Sequence, residues 1–293
     1  MNWHEVDERL IKRGEILVSL DFVKNYDKEL EEMNKGKVGR PYQITNSYAQ
    51  FLALIRYMLD IPYKQLEGFT IALNRLIPEL KPVDYSEIRK RLIKLDYKLD
   101  IKNNDDEPLI ISLDSTGSKV HKSYGWIERK HGKKKHYIKI HFAINVKTKE
   151  IIDMRITNDD IADSKAALDM LKDIVKDNKI KIDKIYADGA YDNISLYKLL
   201  EDNGIKDIVI KPRRNARDDS ISNIRNENIK CIKQFGYKQW SKLKGYGKRW
   251  IVETVFSTFK RLFNEYCLST SINGIIKELK TKVWIYNMLV RMV

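Results

Sequence analysis

Leu109-Ile110-Ile111-Ser112-Leu113-Asp114-Ser115-Thr116-Gly117 decides how the chain is read. The run up to Leu113 is almost uniformly apolar, as a strand buried on both faces requires, and it gives way to an aspartate and a glycine turn. Before it, apolar residues recur at helical spacing; after it, the period is that of strands. His136-Tyr137-Ile138-Lys139-Ile140-His141-Phe142-Ala143-Ile144 and Ile151-Ile152-Asp153-Met154-Arg155-Ile156, joined through Val146-Lys147-Thr148-Lys149, predict an antiparallel hairpin. A helix over 163–177 follows, with Ala166, Leu168, Leu171 and Val175 on its apolar side. Ile182-Asp183-Lys184-Ile185-Tyr186-Ala187 is then a strand that stops at Asp188-Gly189, succeeded by a helix over 195–203 and a strand over 205–211.

The order is strand, strand, strand, helix, strand, helix, strand, helix. Three antiparallel strands followed by strands reached through helical crossovers make a mixed sheet, the arrangement of the ribonuclease H fold. The predicted fold class is therefore α/β, a ribonuclease H-like mixed five-stranded sheet flanked by helices, preceded by an all-helical, helix-turn-helix-like domain. In such a sheet the first strand is central and the fourth lies beside it. Asp114 and Asp188 then become neighbours although far apart in sequence.

The closing helix supplies a third carboxylate. Tyr246, Arg249, Glu253 and Lys260 share an arc of about 60° if they lie on one α-helix. Val252, Val255, Phe256, Phe259 and Phe263 form an apolar stripe beside them that can dock on the sheet. Three carboxylates meeting at one point suit a pair of hard divalent cations, which take oxygen ligands and leave positions for water and phosphate. Two Mg²⁺ (or Mn²⁺) ions so held supply a nucleophile and neutralise charge in phosphodiester chemistry. Asp114, Asp188 and Glu253 are thus the candidate catalytic metal ligands. Arg249 can grip a phosphate, Lys260 can act as a point charge, and Tyr246 can stack on a base or bond a phosphate.

The N-terminal part reads as helical, broken by Lys35-Gly36-Lys37-Val38-Gly39-Arg40-Pro41. Phe51, Leu52, Leu54, Ile55, Met58 and Leu59 predict one helix, and a second begins at Pro62. Asp84 is the predicted N-cap of a third, whose inward face carries Ile88, Leu92 and Leu95. Its outward face is read as Arg89, Lys90, Arg91 and Lys94, a candidate DNA contact of the helix-turn-helix kind. The expected boundaries are 1–104 for this DNA-binding domain and 105–293 for the catalytic one, with 212–245 a short basic insertion.

The net charge of +14 over 293 residues makes a polyanion the natural partner. Two basic stretches strengthen that expectation: Lys119, Lys122, Arg129, Lys130, Lys133, Lys134 and Lys135 around Tyr124 and Trp126, and Lys211, Arg213, Arg214 and Arg217 after the fifth strand. His121, His131, His136 and His141 invite a zinc reading, but no cysteine or second pair stands at zinc-ligand spacing. A Ser/His/Asp hydrolase fails for want of a nucleophile elbow. Asp192 is expected to cap the following helix. With two distant cysteines, no signal peptide and no long apolar run, a soluble cytoplasmic, nucleoid-associated protein without membrane contact is expected.

These residues resemble insertion-sequence transposases of the DDE superfamily, in the branch of insertion sequence families four and five. Leu113-Asp114-Ser115-Thr116 matches the first family aspartate and Tyr186-Ala187-Asp188-Gly189-Ala190-Tyr191-Asp192 the second. Tyr246, Arg249, Glu253 and Lys260 match the signature Y-x2-R-x3-E-x6-K at every position. Gly39-Arg40-Pro41 and Pro62-Tyr63-Lys64-Gln65-Leu66-Glu67-Gly68-Phe69 look like the leader of family five. The resemblance implies binding of double-stranded DNA at terminal inverted repeats, metal-dependent cleavage there, and attack of the freed 3′-OH on target DNA by a homodimer. A nuclease of the same fold without strand transfer, and a non-catalytic DNA-binding derivative, are the alternatives. The stretch between Asp188 and Glu253 is short for the long β-rich insertion that some relatives carry.

Overall fold

The computed structural model describes residues 3–97, 107–120, 137–158, 161–176 and 180–292. His121, His131 and His136 and the basic-aromatic stretch from Lys122 to Lys135 lie outside the described residues. By contacts the chain divides into two compact units, Met1–Lys98 with Ser271–Val293, and Leu99–Thr270.

The first unit opens with α1 (Trp3–Glu15), α2 (Tyr26–Asn34), α3 (Asn46–Met58), α4 (Tyr63–Leu76) and α5 (Tyr85–Lys94). Thr45 caps α3 through the Tyr48 N–H, and Asp84 caps α5 through the Ser86 N–H at 2.8 Å, each satisfying an otherwise orphaned amide. Leu52, Leu54, Ile55, Ile88, Leu92 and Leu95 are buried, as their helical spacing predicts, whereas Leu59, just past the end of α3, is exposed. Arg91 corrects the sequence reading: it is buried rather than outward. Its guanidinium bonds the Asn46 Oδ1 at 2.8 Å and lies 4.4 Å from the centre of the Tyr42 ring. Arg89 and Lys90 remain exposed.

The second unit is built on β1 (Leu109–Val120), β2 (Tyr137–Asn145), β3 (Ile151–Asn158), α6 (Asp163–Lys176), β4 (Ile182–Ala187), α7 (Ile194–Asp202) and β5 (Asp207–Ile210). The sheet order is β3-β2-β1-β4-β5, with β1–β2 and β2–β3 antiparallel and β1–β4 and β4–β5 parallel. This is the ribonuclease H-like order. One face of β1 (Leu109, Ile111, Leu113) packs on Ala167, Met170 and Leu171 of α6 and Leu196, Tyr197 and Leu200 of α7. Burial of each large apolar side chain contributes about 1.5–3 kcal/mol, so this face anchors the sheet.

Two details depart from the expectation. β1 does not stop at the glycine turn but runs straight through Asp114 and Gly117, because β2 pairs with it along the whole register from Ile111 to Lys119. A sixth, two-residue strand, β6 (Tyr266–Cys267), pairs in parallel with Lys119 and Val120. On that side β4 partners β1 only at Leu109, Ile110, Ile111 and Ser112. Between the two partners, 113–118 face a notch in the sheet, and Asp114 lies in it.

The chain reaches β6 through α8 (Asn223–Lys244) and α9 (Trp250–Phe263), the latter introduced by a 3-10 turn, Tyr246–Arg249. α8 is kinked at Gly236 and ends at Gly245, whose φ of +64° favours glycine. On α9, Val252, Val255, Phe256, Phe259 and Phe263 are buried, and Phe256 and Phe259 meet Phe142 of β2 at ring separations of 4.9 and 5.3 Å. Phe142 is the cross-strand partner of Asp114, so this contact sets α9 against the face of the sheet that carries Asp114. The last helix, α10 (Ile272–Arg291), belongs to the first unit and packs there on α3 and α5. Its buried Ile275, Leu279, Val283, Ile285 and Leu289 give it a core-facing stripe of its own, so 271–293 separates from the rest of the expected 105–293 domain. No described helix is long and apolar enough to cross a membrane.

Candidate active site

The β1–β4 register reaches Ser112 opposite Tyr186, and two residues further along each strand stand Asp114 and Asp188. Asp188 follows the last residue of β4 and caps the short turn Gly189–Tyr191, accepting the Ala190 N–H at 2.8 Å. Glu253 comes from the first turn of α9. A cleft of about 620 Å³ opens here, lined by Asp114, Thr116, Glu253, Ser257, Lys260 and Glu265 among others.

Arg249 is the hub. Its Nη1 donates to the Asp114 Oδ2 at 3.1 Å and its Nη2 to the Glu253 Oε1 at 2.5 Å, so one guanidinium bridges two of the three carboxylates. Its own carbonyl accepts the Ser112 hydroxyl at 3.4 Å, fixing the turn to β1. Desolvation works against the Arg249 charge, but the Glu253 and Asp114 partners outweigh it and hold its pKa above the usual value. Asp114 lacks full compensation. Burial pushes its carboxyl up to about 6, against the Ser115 N–H and Arg249, and the charges of Asp188 and Glu253 push the same way.

Among the described residues no three of His, Cys, Asp and Glu stand as a ready-made cage for one ion. The donor set nonetheless fits divalent metal. It is all carboxylate oxygen, burial leaves the charge of Asp114 short of compensation, and a cationic side chain already lies between two of its members. Lys260 reaches the same cleft, 3.8 Å from Glu265.

Tyr246 departs from the expected shared arc. It precedes α9 in the 3-10 turn, and its ring is buried against Trp240 at 5.1 Å and Tyr237 at 6.3 Å. A ring so enclosed is a prop for the turn that carries Arg249, not an open surface for a base. Lys211, Arg213 and Arg214 are exposed beyond β5, where the Lys211 N–H bonds the Ala187 carbonyl at 3.3 Å, one residue before Asp188. Asp192 is not the cap of α7; Asn193 is, through the Ser195 N–H. Asp192 is buried and ion-paired with Arg225 of α8, a partner for which the sequence offers no periodic or motif signal. His141, the described histidine of the zinc reading, is buried, bonds Thr157 at 2.9 Å, and is held down to about pKa 4 chiefly by desolvation.

A family model described as a transposase DDE domain matches residues 105–288. The chain belongs to this family of DDE transposases. A second model with the same description matches residues 11–123. A solved piggyBac transposase synaptic complex with hairpin DNA aligns at 11% identity over 94% of this chain and 73% of that one, with a TM-score of 0.45. A chain in a simian T-cell lymphotropic virus intasome in complex with the PP2A regulatory subunit B56 gamma aligns at 13% identity over 64% of this chain and 67% of that one, with a TM-score of 0.25. Both likenesses are too loose to carry weight beside the strand order. As a DDE transposase the chain is a DNA-binding enzyme of DNA transposition and recombination, of a class that generally depends on divalent metal.

Proposed function

We propose that this transposase serves an insertion sequence of the family four/five branch, closest to family five, and that its Y-R-E-K signature is Tyr246, Arg249, Glu253 and Lys260. In this reading Asp114, Asp188 and Glu253 hold two Mg²⁺ or Mn²⁺ ions, which when bound activate the attacking oxygen and neutralise the phosphoryl oxygens. The observation that carries it is the bridge from Arg249 to Asp114 and Glu253, just beyond the end of the β1–β4 register at Ser112 and Tyr186.

Arg249 and Lys260 then orient the phosphodiester, with Lys211, Arg213 and Arg214 along the neighbouring edge. Tyr246 supports Arg249 from below. The N-terminal helical domain, 1–104 in sequence, would recognise the terminal inverted repeats, with exposed Arg89 and Lys90 as backbone contacts. The freed 3′-OH then attacks target DNA at the same carboxylates, in a homodimer that holds two ends.

Incubation with Mg²⁺ and DNA carrying the ends of the encoding element tests this. Joined products are expected from the wild type, whereas hydrolysis without joining would reduce the reading to a nuclease. Asp188→Asn and Glu253→Gln should bind the ends but leave them uncut. Cutting by either variant at the wild-type rate would remove that residue from the metal set.

A further inference from the structure

We infer that Asp192 and Arg225 are positioning residues, a bracket that holds the basic loop 213–217 beside Asp188 as a contact for the DNA strand. Neither touches the reacting atoms; both would act through the loop. The inference rests on the proposal that this edge meets DNA.

Asp192 and Arg225 make a two-pronged pair, Arg225 Nε to Asp192 Oδ1 at 2.7 Å and Nη2 to Oδ2 at 3.1 Å. The Arg225 and Asp192 side chains are 10% and 0% exposed, so the pair is dry. What distinguishes it is where the remaining hydrogen bonds go. The Asp192 Oδ2 also accepts the Arg213 N–H at 3.0 Å, and the Arg225 Nη1 donates to the Arg217 carbonyl at 2.9 Å. One ion pair therefore grips both ends of the same loop, and an Ala216 N–H to Arg213 carbonyl bond of 3.0 Å closes the turn inside it.

The loop is in turn fastened to the Asp188 side. Arg213 Nε donates to the Gly189 carbonyl at 3.4 Å, and a Cβ on Gly189 would stand 3.3 Å from the Lys211 carbonyl, so glycine permits this close approach. Arg213, Arg214 and Arg217 are exposed, and among the described residues none of them has a carboxylate partner. Nearby Asp218 is already matched by Lys233 at 2.7 Å. Three unneutralised guanidinium groups, on a loop whose two ends are fastened beside the second aspartate, suit a polyanion strand. A buried ion pair is a poor device for stability alone, since an apolar pair of the same volume usually does as well. Its fork geometry and spare donors are what fix a loop.

The test uses the full chain and a fluorescein-labelled duplex taken from the DNA flanking the coding sequence, with binding followed by anisotropy over a range of salt. Arg225→Gln is expected to weaken binding about tenfold and to flatten the log K against log salt slope by roughly one to three, about 0.9 for each phosphate that is no longer neutralised. Arg225→Lys, which keeps the charge but cannot make the fork and the Arg217 bond together, should fall between. In the background of Arg213→Ala, Arg214→Ala and Arg217→Ala, Arg225→Gln should have no further effect on affinity or slope, whatever it does to the melting temperature. Should Arg225→Gln not fold, Arg225→Lys and Asp192→Asn in the same two backgrounds give the same comparison. Wild-type affinity in the bracket variants, or an equal loss in both backgrounds, overturns the inference. If the triple substitution alone leaves affinity and slope unchanged, the loop does not contact DNA and the parent reading of this edge fails with it.

Discussion

Asp114, on the cleft side of the sheet, and Asp192, under the basic loop, are both withdrawn from water, with side chains 17% and 0% exposed. Asp192 has a guanidinium fork and a backbone amide, enough acceptors used to satisfy a buried charge. Asp114 has one prong of a guanidinium that it shares with Glu253, and the Ser115 N–H. Its charge is left poorly compensated, as the upward shift of its pKa registers. A carboxylate that the fold satisfies completely is part of the scaffold. One that the fold leaves short of positive charge is poised to take it from elsewhere, here from a divalent ion.

Asp114→Asn challenges that contrast most directly. Cleavage of end DNA should fall by at least about 10³-fold, since several kcal/mol of metal-assisted stabilisation are lost at 1.36 kcal/mol per tenfold. In metal-free buffer the same variant should nevertheless be more stable than the wild type at neutral pH, by up to about 3 kcal/mol, each pKa unit corresponding to about 1.36 kcal/mol. A calorimetric scan showing it less stable would place Asp114 with the satisfied carboxylates. Asp192→Asn should do the opposite. Removing one partner of the buried pair strands Arg225, and chemical denaturation should reveal a loss of about 3–5 kcal/mol. An unchanged midpoint would mean that the pair is not dry in solution.

The acidity of Asp114 gives that side of the contrast a second test. The folded-state pKa of Asp114 is raised from 3.8 to about 6, so its ionisation opposes folding: the penalty is absent below about 4, grows between 4 and 6, and is constant above. Metal-free wild-type protein should lose stability over that window relative to Asp114→Asn, by the same margin of up to about 3 kcal/mol. Parallel stability curves for the two would count against it. A smaller effect concerns the shared guanidinium. Arg249→Gln frees Asp114 and Glu253, and the DNA-free protein should bind Mn²⁺ about tenfold more tightly by isothermal titration, a gain of about 1.4 kcal/mol. Weaker binding would show that Arg249 helps assemble the carboxylates instead of holding their place.

The sheet was legible because its strands are long apolar runs with period-two or buried patterns, and the strand order followed from which connections are short hairpins and which are helical. The extent of β1 was not. Ser115, Thr116 and Gly117 carry turn-like chemistry, and only the pairing with His141, Ile140 and Lys139 across the sheet keeps them extended. The neighbouring placement of Asp114 and Asp188 was legible from their position at the ends of apolar runs, and the place of Glu253 on a sheet-docking helix from the apolar stripe beside it. Tyr246 was misplaced because angular spacing assumes one continuous α-helix, whereas Gly245 ends α8 and a 3-10 turn resets the phase before α9. Arg91 was misread since a basic residue has no periodic signature of burial; Asn46 and Tyr42, distant in sequence, decide its environment. Arg225 was invisible for the same reason.

The notch between β4 and β6 also acts as a ruler. Along β1 the stretch without a strand partner on that side spans residues 113–118, roughly 17–20 Å at about 3.3–3.4 Å per residue. A polynucleotide strand advances about 3.4 Å per phosphate, so the opening has the length of about five or six nucleotides. Ethylation of phosphates around the cut should interfere with binding over a segment of about that size, and a markedly longer one would mean that the strand does not run along β1.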